Sequence, residues 1–124
     1  MRQIDKLHSL IKDPHRYGLR KNFRVYKYIC DLACYGIATT GYSDKKTKHV
    51  ETWDVMCILK SLGVACGSKN VAPRGGACGE RVFLTGKVKS DCLTTFKKFV
   101  DVFLLEHSKT IWDAKGAFIA SLQK

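Results

Sequence analysis

Residues 19–42, LRKNFRVYKYICDLACYGIATTGY, form a long and mostly apolar stretch. Phe23, Tyr26, Ile29, Cys30, Ala33 and Ile37 fall on one helical face, and Val25, Tyr28, Leu32 and Tyr35 widen it. A helix that is apolar around so much of its circumference must be covered from more than one side. The β-branched and aromatic content also suits a buried strand pair, and Gly36 and Gly41 weaken a continuous helix. Length, and basic residues clustered only at its start, favour one long helix.

Shorter segments flank this stretch. Ile4, Leu7, Leu10 and Ile11 recur at helical spacing over residues 2–12, and Asp13-Pro14 ends that helix because a residue before proline avoids the helical region. The loop DPHRYG follows. After the long stretch, residues 44–49 (DKKTKH) read as a basic loop, and residues 50–62 as a short amphipathic helix stopped by Gly63. Residues 64–81 are rich in glycine and small residues, with Pro73 and Gly75-Gly76, and read as a loop or linker. Residues 82–86 fit a short strand. Asp91 has the character of a helix cap before an amphipathic helix over 92–108, and a final short helix covers about 112–122 with Trp112, Phe118, Ile119 and Leu122 apolar.

Charge narrows the partners. The 22 Lys and Arg against 11 Asp and Glu give +11, split nearly evenly as +6 over residues 1–62 and +5 over 63–124. The excess is thus part of the folded sequence rather than a tail, and it favours a polyanion, nucleic acid before an anionic membrane surface. No run approaches the length of a membrane span, and MRQIDKLHSLIKD lacks the apolar core of a signal peptide. Reduced thiols are therefore expected for Cys30, Cys34, Cys57, Cys66, Cys78 and Cys92, and no CxxC pair offers zinc spacing. Cys30 and Cys34, on one helical face, read as small buried hydrophobes. No enzyme, metal or cofactor is expected. His8, His15, His49 and His107 lie far apart, no nucleophile motif surrounds a Ser or Cys, and the glycines at 67, 75, 76 and 79 lack the closing Gly-Lys-Ser/Thr of a phosphate loop.

The first half thus runs short helix, basic loop, long helix, basic loop, short helix. Ile4 and Leu7 with Gly18, the pair Gly18-Leu19 opening the long helix, the segment from Lys46 to Val55, and Leu59-Lys60 with Gly63 together resemble core histone four of the histone-fold family. The resemblance covers residues 1–63 and implies a histone fold there; with residues 64–90 read as a Gly-rich linker or loop and 91–124 as a helical C-terminal extension, the expected fold is mostly α. It implies that two chains cross their long helices, bringing the first loop of one beside the second loop of the other. His15 and Arg16 of the first loop, Arg20 and Lys21 entering the long helix, and Lys45, Lys46, Lys48 and His49 of the second loop would then meet DNA phosphates, with Arg16 entering the minor groove. The implied function is duplex DNA packaging without sequence specificity, in a nucleosome-like complex with another histone-fold chain, in the nucleus or, for a viral chain, the virion or virus factory. Thr47 stands where the family has the arginine that clamps the aspartate here at 54, His49 stands where it has threonine, and its long basic N-terminal tail has no counterpart.

The alternative reading is an RNA-binding protein, such as a ribosomal or viral silencing-suppressor component. It uses SKNVAPRGGACGER as a basic contact segment through Lys69, Arg74 and Arg81.

Overall fold

The computed structural model describes residues 2–20, 24–43, 50–71 and 78–124. They form a mostly helical protein with one small antiparallel sheet. Helix α1 (Gln3–Lys12) ends at Asp13, and Pro14–Tyr17 makes a single 3-10 turn closed by Gly18 at φ +76°. Helix α2 (Arg24–Tyr35) follows, then strand β1 (Ile37–Ser43). The long helix expected over 19–42 is therefore replaced by a helix of 12 residues and a strand. The break has a local cause. Gly36 adopts φ +71°, its N–H closes on the Leu32 carbonyl at 2.9 Å, and its own carbonyl accepts from the Leu84 N–H at 2.9 Å. A left-handed glycine caps a helix cheaply, and the β-branched residues beyond it find a strand partner. The short–long–short helix order expected of residues 1–63 is not the order they form.

Helix α3 (Val50–Ser61) returns the chain to strand β2 (Cys66–Val71) and strand β3 (Cys78–Leu84). The sheet order is β1-β3-β2, with both pairings antiparallel. The Gly-rich region expected as a loop or linker thus supplies β2 and the start of the middle strand β3, and the short strand expected over 82–86 is the end of β3, displaced toward the N-terminus. Glycine there serves packing. A Cβ at Gly67 would stand 2.9 Å from the Phe83 ring, which lies across that position. Register alternates the faces: Ala38, Val82 and Leu84 are buried beneath the sheet, while Thr39, Lys69 and Arg81 are exposed on the other side. Buried Thr40 and Thr52 share a 2.6 Å hydroxyl contact that fastens β1 to α3, and Thr40 also donates to the Glu80 carbonyl.

Helix α4 (Gly86–His107) starts earlier than expected, with Thr85 as its N-cap, so Asp91 lies inside the helix rather than capping it. Helix α5 (Ile111–Leu122) is fixed at its start by a capping box, in which the Thr110 hydroxyl and the Asp113 carboxylate satisfy each other's backbone N–H groups. One cluster of buried residues runs from Ile4 on α1 through Ile29, Leu32, Leu59 and Leu84 to Cys92 on α4, so residues on both sides of position 63 share a core. A second cluster joins Cys34, Phe96, Val100, Ala114 and Phe118. Burial pushes the thiols of Cys30, Cys34 and Cys92 up to about 11, 12 and 12, which keeps them protonated.

His8 gives this packing a pH dependence. Its ring meets Phe118 edge-on at 6.1 Å, and its Nε2 is buried without a hydrogen-bond partner among the described residues. Burial lowers its pKa from 6.5, outweighing the upward pull of Asp5, and Arg2 lowers it further. The folded chain then binds fewer protons here than the unfolded chain. The stability this group contributes is fully present above pH 6.5 and is lost as pH falls through that value toward the lower folded pKa. Urea unfolding should show a less stable protein at about pH 5 than at about pH 8, and His8→Phe should shrink the difference. An unchanged difference in the variant would assign the effect to other groups.

Candidate nucleic-acid interface

Two of the eight expected contact residues, His15 and Arg16, lie on the 3-10 turn after α1, and Arg20 follows it; all three are exposed. The Arg16 guanidinium sits 6.0 Å from the centre of the Tyr17 ring. Lys21, Lys45, Lys46, Lys48 and His49 lie outside the described residues, so the expected pairing of the two loops has no described counterpart.

The structure instead draws attention to the outer face of the sheet. Thr39, Arg81 and Lys69 stand in one row across β1, β3 and β2. Directly opposed residues of an antiparallel pair share a face, with Cβ atoms roughly 4.5–5.5 Å apart. Arg81 and Lys69 are therefore like charges set side by side, and neither has a carboxylate partner among the described residues. Such a pairing costs the sheet stability. One step along the strands, Ile37 and Phe83 occupy the same outer face, with Ile37 two-fifths exposed.

A groove of about 590 Å³ continues from this row toward α2 and α5. Lys27, Asp31 and Tyr35 reach it from α2, where a spacing of four places them on one helical stripe. Arg81 enters from β3, and Trp112 and Lys115 from the first turns of α5. The Lys115 ammonium hydrogen-bonds Asp31 and lies 5.1 Å from the Tyr35 ring centre and 5.6 Å from that of Trp112. Burial of Lys115 works against its charge, but the Asp31 hydrogen bond and charge outweigh it and raise its pKa. Lys115 is thus held by Asp31 close to both rings, while Lys27 and Arg81 line the groove and are exposed.

In the sequence, Lys69 and Arg81 stand out only within the basic contact segment of the RNA-binding alternative. Tyr35 and Trp112 fall in the apolar patterns of their helices, yet they are 38% and 74% exposed. The Lys27–Asp31–Tyr35 stripe was the available signal, since two charges four residues apart on an otherwise apolar helix need an outlet to solvent. Among the described residues, no helix is long and apolar enough to cross a membrane. No protein-family model, curated protein or solved structure matches the chain.

Proposed function

We propose that the protein binds nucleic acid through backbone phosphates, with little dependence on base sequence. The observation that carries this reading is the opposition of Lys69 and Arg81 on an outward sheet face with no acidic partner among the described residues. A pairing that weakens the sheet is relieved when an anion comes between the two cations, and a departure from local stability rules is expected where a chain binds something. The +11 charge supplies a long-range field of the matching sign. Cations on a sheet face and in an adjoining groove hold phosphates without reading base edges.

The histone-like form of this proposal would add pairing with a second histone-fold chain and wrapping of duplex DNA. Its carrier was a long central helix, and a 12-residue α2 leading into β1 does not support it. Phosphate binding is the part that remains supported, and the exposed aromatic residues favour the single-strand or RNA form of it. Fluorescence anisotropy with a short labelled single strand, its shuffled sequence and the matching duplex tests the proposal. The first two should bind alike, and log affinity should fall linearly with log salt, by roughly 0.7 for each single-strand phosphate contacted. No salt-dependent binding to any of the three at low ionic strength would reject it.

A further inference from the structure

We propose that the groove between α2, β3 and α5 is a stacking site for an unpaired base, which makes the protein a binder of single-stranded nucleic acid. The inference rests on the phosphate-binding reading above and adds the part of the ligand that the groove takes.

Trp112 carries the argument. It is 74% exposed, yet it sits one residue past the start of a helix that is locked by a capping box. Its backbone is therefore held rigidly while its ring stays open, and a rigid aromatic surface loses little freedom on binding. Tyr35, 38% exposed, has its ring centre 5.1 Å from the same Lys115 ammonium that lies 5.6 Å from the Trp112 ring centre. Because Asp31 already engages that ammonium, Lys115 steadies the two rings rather than serving as the free cation for a ligand. Among the described residues that line this groove, Lys27 and Arg81 are the cations with no carboxylate partner. A second hollow of about 340 Å³ shares Lys27, Trp112 and Lys115 and runs on along α5 to Gln123, so the path does not end at one base.

This combination of a largely exposed Trp112 ring with cations along the same groove matches a single strand. Bases in a duplex are stacked on each other and hide their faces, whereas an unpaired base offers its face to an aromatic side chain and its phosphates to nearby Lys and Arg. Stacking is tolerant of sequence because every base has such a face. A small apolar ligand would not need the cations, and an anionic membrane surface would not need a groove beside an exposed ring.

The test uses the full chain carrying Trp53→Phe, which leaves Trp112 as its one tryptophan. Titration with a single-stranded homopolymer should quench the Trp112 fluorescence, and the matching duplex should quench it far less. Trp112→Ala in the natural sequence should weaken single-strand binding by roughly 5- to 100-fold and leave duplex binding within about twofold. Circular dichroism should be unchanged, because the side chain is mostly in solvent. Equal losses on single strand and duplex, or no loss on either, would overturn the stacking site while salt-dependent binding kept the phosphate reading intact. Absence of binding to every nucleic acid would overturn both. A Trp112 blue shift with anionic lipid vesicles and no quenching by single strands would overturn the proposal in favour of a membrane ligand.

Discussion

Arg81→Glu is expected to make the protein more stable and a poorer nucleic-acid binder at once. The substitution turns the Lys69–Arg81 opposition into a Lys–Glu pair on neighbouring strands. Opposite charges in that position stabilise a sheet by roughly 0.2–1 kcal/mol, and like charges oppose it by a similar amount. Binding moves the other way. One phosphate contact is lost and a repelling charge replaces it, so affinity should drop at least about tenfold at low salt, and the salt slope should shrink by about one. Urea unfolding and anisotropy on the same preparation read the two effects. A variant that loses affinity because it has partly unfolded would lose stability too, so the opposite signs distinguish a contact residue from a structural one. Arg81→Lys should keep most of the binding.

The second large effect concerns Leu84→Ala. Leu84 is fully buried at the end of β3, within the short strand expected over residues 82–86. Removing a buried leucine side chain costs about 2–5 kcal/mol, through lost transfer free energy and the cavity left behind. For a chain of this size that corresponds to a fall in Tm of roughly 10–20 °C. Leu105→Ala is the matched control, since Leu105 is 85% exposed and its loss should stay within about 0.5 kcal/mol. Similar Tm values for the two variants would contradict the placement of β3 at the centre of the core.

These residues also show where the sequence was readable. Helix α1 is evident from apolar spacing because Ile4, Leu7, Leu10 and Ile11 are the residues it buries, whereas α3 is legible as a helix but buries Thr52, Val55 and Leu59 and leaves Trp53 and Cys57 exposed. Residues 19–42 were misread because helix and buried strand are both apolar runs, and periodicity alone does not separate them. Gly36 marked the division, but a glycine inside a helical pattern costs only about 1 kcal/mol, so it did not force a break. What settles it is the pairing of Ile37–Ser43 with β3, about forty residues away in sequence. The sheet itself was hidden for a similar reason. Cys66, Gly67, Ser68 and Lys69 carry almost no strand propensity, and they form a strand because β3 offers hydrogen bonds and the Phe83 ring covers Gly67. The interface was half legible. Charge pointed to a polyanion, but the residues that converge on the groove come from α2, β3 and α5, and no local motif links them.

Amide and indole chemical shifts recorded during titration with a short single strand locate the contact surface directly. Lys69, Arg81 and Phe83 on the sheet, Lys27 and Tyr35 on α2, and the Trp112 indole should shift together and saturate at one ligand concentration. Shifts confined to the 3-10 turn at His15 and Arg16, or to the exposed α4 face around Val102 and Leu105, would place binding elsewhere and contradict the assignment of the sheet and its groove as the nucleic-acid interface.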